Sequence, residues 1–348
     1  MEVSGKSAQK RQYKLTNFMT KNSLSTTILG LTCLLLPTLA SSQAGSLADE
    51  LWASSNVNLL ESSAAEPSTN YYYPEGLIAL PEDTQYLIWT EMNAGRLNLL
   101  ERIAEKKYRL IKRIPISIGK EGFGKEVEGD KRTPIGVYRF VNHIPERDLT
   151  DFYGLGAYPI NYPNNWDKLK QRTGYGIWLH GLPKGVDRRP LLDSDGCVVV
   201  DNKSLTFLDD HILPGKTLMV LANELHWVST DALDGRDSLL EAMDSWEQSW
   251  ESRDSNQYLD SYHEDFTDFN RDLQAWSEYK SRINGQKSFI EVTLSDVTAI
   301  QYPGTEDTVS VRFFQNYKSS NYNWSGWKEL LWQKDSGGQW KILFEGNG

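Results

Sequence analysis

The chain has 348 residues, enough for two ordinary domains and a leader. Hydrophobic residues make up 39% and aromatic residues 11%, which is ample material for packed cores and excludes disorder as the overall state. The formal net charge is -10, and a phosphate backbone would repel such a chain, so the composition argues against nucleic acid as a partner.

Residues 1–40 have the pattern of a secretory signal. Five cations precede an uncharged apolar run from Leu24 to Leu36, and Pro37-Thr-Leu-Ala40 then offers a small residue at a plausible cleavage point. The run is shorter than the roughly 20 residues that a spanning helix needs. We therefore expect export to the periplasm, with an uncleaved inner-membrane anchor as the alternative.

Removal of this leader would leave Cys197 as the only cysteine. A single thiol in an exported protein cannot form an internal disulfide. It is then either a buried small hydrophobic group or a reactive one.

Residues 41–76 are rich in Ser, Ala, Asn and Glu and are interpreted as a linker, with one short helix near Leu47–Leu60. Residues 77–222 then contain short β-prone runs separated by turns, which predict a meandering sheet. The runs are Leu77–Leu80, Tyr86–Trp89, Arg96–Leu100, Tyr108–Ile111, Ile114–Ile118, Gly136–Phe140, Gly176–Leu179, Val198–Val200 and Leu218–Leu221. A helix is predicted at Leu205–His211. No long amphipathic helices alternate with the strands, which argues against a doubly wound parallel sheet.

Residues 236–346 have a different pattern. Apolar residues recur at helical spacing over Arg236–Arg253, and a second helical segment is predicted over Tyr258–Phe266. Strand-like runs follow at Ser288–Leu294, Val297–Tyr302, Thr308–Tyr317, Trp327–Gln333 and Trp340–Phe344. Helices followed by antiparallel strands predict an α+β second domain.

Two β-prone runs carry potentially reactive side chains at their ends. The first delivers His180 to a turn, and the turn Ser194-Asp195-Gly196 presents Cys197 at the start of the second. Adjacent strand ends can hold an imidazole and a thiol within hydrogen-bond reach, so the imidazole can take the thiol proton. Gly196 would let a substrate carbonyl approach closely, and the amides around Gly196 and Cys197 are candidate oxyanion donors.

A His-Gly pair followed by Ser-x-Gly-Cys resembles the YkuD-type L,D-transpeptidase family. The stretch Gly129-Asp-Lys-Arg-Thr-Pro-Ile-Gly136 matches the family's Gly-x-x-x-Thr-Pro-x-Gly marker, and residues 157–167 are also similar. The resemblance covers roughly residues 77–222 and implies a mainly β, sandwich-like fold with one face open as a groove. It also implies that Cys197 is the nucleophile, that His180 is its proton acceptor and donor, and that the Gly181 carbonyl orients the imidazole.

Two positions depart from the family pattern. Many members read Ser-His-Gly-Cys and carry an Arg two residues after the nucleophile, where this chain has Asp195 and Val199. The substrate contacts of the missing Arg are therefore in doubt. Basic residues between the two motifs could meet a substrate carboxylate instead, and an ordinary solvated basic loop is the alternative; these residues are Lys184, Arg188 and Arg189. Further candidate substrate contacts are Tyr162, Trp178, Ser194 and Asp195.

The second domain has a resemblance of its own. The segment from Trp246 to Phe266, together with Asp307–Tyr317 and Trp340–Glu345, is similar to the SnoaL-like, nuclear-transport-factor-2-like (NTF2-like) α+β cone. The two-domain combination resembles cell-shape enzymes of curved bacteria, which are YkuD-type L,D-carboxypeptidases with such a C-terminal domain. Seven of the 12 Trp residues follow residue 240. They could stack on glycan sugars, although core packing is the commoner role, so glycan strands or cell-wall proteins are candidate partners.

The resemblance implies acyl transfer at the L-centre-to-D-Ala bond of peptidoglycan stem tetrapeptides through a thioester. Transfer to an amine would be transpeptidation, which the catalytic domain favours and which we predict. Transfer to water would be L,D-carboxypeptidation, which the second domain favours and which is the alternative. A catalytically silent wall-binding scaffold is a further alternative. We expect no cofactor and no metal, because the five His residues are scattered and lack metal-binding spacing.

Overall fold

The computed structural model describes residues 72–229 and 237–348. The predicted signal at residues 1–40, most of the predicted linker and its short helix lie outside the described residues. Within the described ranges, no helix is both long and apolar enough to cross a membrane.

Residues 72–229 form short strands with two helices. The strands are β1 (Tyr72–Pro74), β2 (Leu77–Ala79), β3 (Tyr86–Glu91), β4 (Arg96–Ala104), β5 (Lys107–Pro115), β6 (Ile118–Gly119), β7 (Gly136–Arg139), β8 (Ile144–Pro145), β9 (Gly156–Pro159), β10 (Trp178–His180), β11 (Leu192–Ser194), β12 (Val198–Val199), β13 (Leu218–Leu221) and β14 (Trp227–Ser229). The helices are α1 (Asn165–Leu169) and α2 (Asn202–Asp209). Helix α2 begins three residues before the predicted Leu205 because the Asp201 carboxylate accepts from the Ser204 amide and caps it.

Two sheets enclose the core of this first domain. One has the order β5-β4-β3-β13-β7, and the other has the order β12-β10-β9-β8. Ile88 and Leu99 from the first sheet share one buried cluster with Tyr158, Leu179 and Val198 from the second. The mainly β, sandwich-like prediction is therefore confirmed. The sandwich also fixes β10, which ends at His180, and β12, which begins directly after Cys197.

The second domain is the predicted α+β unit. Its elements are α3 (Asp237–Ser252), α4 (Ser255–Asp260), β15 (Tyr262–Thr267), α5 (Leu273–Gly285), β16 (Ile290–Gln301), β17 (Thr308–Ser319), β18 (Asn323–Lys334) and β19 (Trp340–Asn347). The long strands pair as β15-β19-β18-β17-β16, with only the β15–β19 pair parallel. The helices cover a core that includes Trp246, Trp250, Trp276 and Trp332.

Three details differ from the sequence predictions. Strand β1 lies within the range interpreted as a linker and pairs with β14. Strand β2 belongs to the second domain's sheet, where it pairs with β16, although the run Leu77–Leu80 was assigned to the first domain. The helix predicted over Tyr258–Phe266 ends at Asp260, and β15 follows, because the chain there pairs with β19 and buries Tyr262 and Phe266 as a strand.

The two domains share buried contacts. The Asn164 amide donates to the hydroxyl of Tyr302 at 3.0 Å, and the rings of Trp166 and Tyr302 are 5.1 Å apart. Tyr302 and Trp166 form one buried cluster with Leu331 and Phe344. Burial of this apolar surface holds the second domain against α1 of the first.

Candidate active site

His180 lies at the end of β10, and Cys197 lies directly before the neighbouring parallel strand β12. Strand β10 pairs with β12 so that Leu179 lies opposite Val198 and His180 opposite Val199. Cys197 directly precedes β12, and its thiol lies beside β10, because the Trp178 amide lowers its pKa. Tyr153 is near both groups, with its ring 5.1 Å from the His180 imidazole and its own pKa raised in part by Cys197. The strand pairing thus places the predicted base and nucleophile in one region of the fold.

The imidazole of His180 is buried and has a defined tautomer. Its Nδ1 lies 2.7 Å from the carbonyl oxygen of Gly181, and because a carbonyl only accepts, Nδ1 carries the proton and Nε2 is left as the proton acceptor. Burial, and to a smaller degree the charge of Arg189, lowers the pKa of His180 to about 4 against the opposing effect of the Gly181 carbonyl. His180 is thus neutral, as a general base must be.

Gly181 is held by close packing against the start of α2. A Cβ at Gly181 would clash with Oδ1 of Asn202. That oxygen accepts from the Leu155 amide at 3.2 Å, and Nδ2 of Asn202 donates to the carbonyl of Leu182 at 3.0 Å. Asn202 therefore joins the two segments on either side of the His180–Gly181 pair, and only glycine fits at Gly181.

The Cys197 thiol is free and half-buried. It lies 3.5 Å from the carbonyl oxygen of Gly176, to which it donates. Burial raises the pKa of Cys197 to about 11, although the Trp178 amide opposes this shift; the nearby Asp195 carboxylate adds to it. Thiol and imidazole are therefore both neutral at rest, and proton transfer to His180 must accompany attack on a substrate.

A network of hydrogen bonds fixes the turn before Cys197. The Ser194 hydroxyl donates to the Cys197 carbonyl at 2.6 Å and accepts from the Gly196 amide at 3.1 Å. Gly196 has a φ of 124°, and a Cβ there would lie 2.9 Å from the Arg132 carbonyl oxygen. Glycine is required because this backbone conformation strains other residues. The Thr133 hydroxyl donates to the Gly196 carbonyl at 3.0 Å.

These contacts alter two predicted roles. Ser194 is buried and its hydroxyl is used within the turn, so it supports the nucleophile instead of facing substrate. The Gly196 amide already donates to Ser194, which removes it as an oxyanion donor. The Cys197 amide has no acceptor among the described residues and remains the candidate donor for a developing oxyanion.

The predicted substrate contacts fall into two groups. Trp178 is half-buried and its ring lies 4.8 Å from that of Tyr153, beside the site. Asp195 is exposed and lies next to the nucleophile, 3.3 Å from the Lys120 ammonium. Tyr162 is buried, and its hydroxyl donates to the Thr173 carbonyl at 3.0 Å, so it belongs to the core.

The three basic residues of the loop between His180 and Cys197 also differ in position. Lys184 pairs with Glu146 and Asp151 on the surface, and Arg188 is exposed. Arg189 is folded inward, with its Nε donating to Asp193 at 2.6 Å.

Sequence reasoning missed an aromatic pair beside His180. The ring of Tyr153 lies 5.1 Å from the imidazole and that of Phe152 lies 5.9 Å from it. Burial, and then the charge of Cys197, raises the pKa of Tyr153, so this tyrosine is near both reacting groups. The sequence did contain a signal for this pair, because two adjacent aromatic residues stand in a polar loop just before Gly154.

Two family models match the chain. Residues 86–221 match the L,D-transpeptidase catalytic domain, YkuD, and residues 238–346 match the Cds6 C-terminal NTF2-like domain. The chain is a YkuD-domain protein with a C-terminal NTF2-like domain. The YkuD family consists of cysteine-dependent enzymes that act on peptidoglycan stem peptides.

Solved structures similar to the chain contain both domains. Bd1075 of Bdellovibrio bacteriovorus is 29% identical with a TM-score of 0.67, over 79% of this chain and 97% of that one. The helical cell shape determining protein Pgp2 of Campylobacter jejuni is 25% identical with a TM-score of 0.66, over 87% of this chain and 99% of that one. A mutant of Pgp2 is 28% identical with a TM-score of 0.68, over 77% of this chain and 93% of that one. No curated protein matches the chain.

The NTF2-like domain contains a cavity of about 450 Å³ with aromatic walls, among them Trp250, Tyr317 and Trp324. Among its lining residues, the Glu345 carboxylate lies 3.0 Å from the Lys328 ammonium and 3.9 Å from that of Lys280. Burial alone would raise the pKa of Glu345, but the charges of Lys328 and Lys280 outweigh it and lower the pKa to about 2. The cavity thus combines stacking surfaces with fixed charges.

Proposed function

We propose that the protein is a cysteine-dependent enzyme that cleaves the L-centre-to-D-Ala amide of peptidoglycan stem tetrapeptides. One observation carries this proposal, namely the free thiol of Cys197 beside the strand that ends at His180, whose Nδ1 is bound by Gly181 so that Nε2 can accept a proton. This arrangement supports nucleophilic catalysis by a thiol and a general base.

The chemistry follows from these roles. As Sγ of Cys197 bonds to the carbonyl carbon, His180 Nε2 takes the thiol proton and the carbonyl oxygen gains negative charge near the Cys197 amide. The amide C–N bond then breaks, and His180 gives the proton to the leaving amine of D-Ala. The product is a thioester between Cys197 and the L-centre of the remaining tripeptide.

We propose water as the acceptor of this thioester, which makes the enzyme an L,D-carboxypeptidase. His180 takes a proton from water, the water oxygen bonds to the carbonyl carbon, the C–S bond breaks and Sγ recovers the proton. Similarity over both domains to a helical cell shape determining protein favours this choice, and a role in cell shape follows from the same similarity. Transpeptidation to an amine is the second candidate, which the match to the L,D-transpeptidase catalytic domain favours.

The test is incubation of the purified protein with disaccharide-tetrapeptide, with products read by mass spectrometry. Disaccharide-tripeptide with free D-Ala indicates hydrolysis, and cross-linked dimers indicate transpeptidation. Cys197→Ala should abolish both products. If that variant gives the same products as the wild type, the proposal is wrong, and binding of the intact protein to sacculi without turnover would favour the scaffold alternative.

Two further proposals concern where the enzyme works. The substrate lies outside the cytoplasmic membrane, and the basic and apolar pattern of residues 1–40 supports export to the periplasm; cell fractionation tests this.

Aromatic walls with fixed charges also suit a sugar-peptide ligand, so we propose that the NTF2-like cavity docks glycan strands. Trp324→Ala should then weaken sacculus binding while hydrolysis of a soluble tetrapeptide is unchanged.

A further inference from the structure

Arg189 has one end of its guanidinium bound and the other unbound. Its Nε donates to the Asp193 carboxylate at 2.6 Å, and its Nη2 donates to the Asp193 carbonyl at 3.0 Å. The side chain is only 14% exposed. Nη1 is buried and has no hydrogen-bond partner among the residues that the structure describes. A buried guanidinium nitrogen without an acceptor is costly, so it indicates a site for an anionic group.

The Arg189 guanidinium lies near the proposed catalytic centre. The guanidinium carbon of Arg189 lies 5.6 Å from the centre of the Phe152 ring, and the same ring lies 5.9 Å from the His180 imidazole. Arg189 and His180 therefore flank one aromatic side chain. The charge of Arg189 also lowers the pKa of both His180 and Cys197, in each case as a smaller effect than burial.

The reaction places a carboxylate on this side of the site. His180 gives its proton to the nitrogen of the leaving residue, so that residue must lie against the imidazole. When the leaving residue is the last of its chain, its carboxylate carbon is about 2.5 Å from this nitrogen. A free carboxylate is thereby held close to His180, and Arg189 is a cation beside the same Phe152 ring.

We propose that Arg189 is the specificity-determining residue of this enzyme and binds, through Nη1, the free carboxylate of the leaving D-residue. Asp193 acts as the positioning residue that turns Nη1 toward the site. The substrate class is then a stem peptide that ends one residue beyond the scissile bond, and peptides blocked or extended at that carboxylate are excluded. This inference rests on the proposed cleavage by Cys197.

The test compares two substrates, a tetrapeptide with a free C-terminal D-Ala and the same peptide ending in D-alaninamide. For the wild type, we expect kcat/KM to be at least about 100-fold higher for the free carboxylate. Arg189→Gln should lose most of the activity on the carboxylate and keep that on the amide, and Arg189→Lys should be intermediate. Arg113→Gln, at an exposed position on β5, is the matched control and should behave as wild type.

The possible outcomes distinguish a failure of this inference from a failure of the proposed function. Equal cleavage of the two peptides by the wild type would overturn the role of Arg189 while leaving cleavage by Cys197 intact. An equal loss on both peptides in Arg189→Gln, with the fold unchanged by circular dichroism, would also overturn it. If the wild type cleaves neither peptide, the proposed function itself fails. Because the wild-type preference is measured without any substitution, the test holds even if Arg189→Gln does not fold.

Discussion

The side-chain hydroxyl of Thr133 donates a hydrogen bond to the carbonyl oxygen of Gly196 at 3.0 Å. The same hydroxyl accepts from the Gly119 amide at 2.9 Å, and Thr133 is fully buried. One side chain thus joins the loop of the Gly-x-x-x-Thr-Pro-x-Gly marker to the turn that presents Cys197. The Thr of this marker is 63 residues before Gly196, and its contact gives the marker a physical role in holding the turn before Cys197.

Replacement of Thr133 by Val should remove both hydrogen bonds while keeping the shape of the side chain. We expect kcat/KM to fall by about 10-fold or more and the free energy of unfolding to fall by about 1–3 kcal/mol, since two buried backbone groups lose their partner. Tetrapeptide turnover and urea denaturation would measure these effects. Thr133→Ser keeps the hydroxyl and is the matched control. Full activity in Thr133→Val would show that the turn is held without this contact.

The neutral resting state of the site predicts how Cys197 responds to pH. Its pKa is raised to about 11, so thiolate is scarce at neutral pH. Alkylation of the Cys197 peptide by iodoacetamide should rise about 10-fold per pH unit from pH 7 to pH 10. In contrast, kcat/KM should be nearly flat between about pH 5 and pH 10, because His180 with its pKa of about 4 is already neutral there.

Ultraviolet absorbance of thiolate, wild type minus Cys197→Ser, gives an independent reading of the same titration. A simple thiol of ordinary pKa serves as the reference for the alkylation rates. A plateau in the alkylation rate below pH 8 would contradict the neutral pair and indicate a preformed thiolate–imidazolium pair instead.

The sequence was enough to predict His180 and Cys197 as the candidate pair, because His180-Gly181 and the turn before Cys197 are local motifs. It could not separate Arg189 from Arg188 and Lys184, since only the fold decides which cation turns inward. The position of Tyr153 beside His180 could not be predicted for the same reason, because their contact depends on how a loop crosses the end of β10.

The second domain shows a different limit of sequence patterns. Tyr258, Tyr262 and Phe266 recur every four residues, which fits a helix, yet the last two lie in a strand beside β19. An aromatic at every fourth position also lies on one face of a strand. Strand β2 is only three residues long, and nothing in so short a run specifies which sheet edge it joins.

The contact between Asn164 and Tyr302 should contribute to the stability of the whole two-domain unit. Tyr302→Phe removes a buried hydroxyl from the Asn164 amide at 3.0 Å and leaves the ring in place. We expect a loss of about 1–3 kcal/mol in the free energy of unfolding with little change in kcat. Tyr322→Phe is the control, because Tyr322 is exposed. An unchanged unfolding transition in Tyr302→Phe would mean that the hydroxyl contributes nothing across the interface.

Glu345 predicts an acid-dependent stability of the NTF2-like domain. Its pKa is lowered to about 2 by Lys328 and Lys280 against the effect of burial, whereas an unfolded Glu titrates near 4.3. Between these values the unfolded chain binds more protons, so the contribution of Glu345 is complete above about pH 4.5 and is lost as the pH falls toward 2. Glu345→Gln should therefore be less stable than the wild type at pH 7, by about 3–5 kcal/mol, because two lysines lose a buried partner.

Urea denaturation at pH 7, 4.5 and 3 would measure the difference in free energy of unfolding between the wild type and Glu345→Gln. This difference should become smaller only at pH 3. Glu291→Gln, which alters an exposed pair with Lys318, is the matched control and should differ from the wild type by less than about 1 kcal/mol throughout. The sign of the effect is decisive. A gap between wild type and Glu345→Gln that widens as the pH falls would mean that Glu345 is protonated in the folded protein and that the lysines in the cavity are not held by its charge.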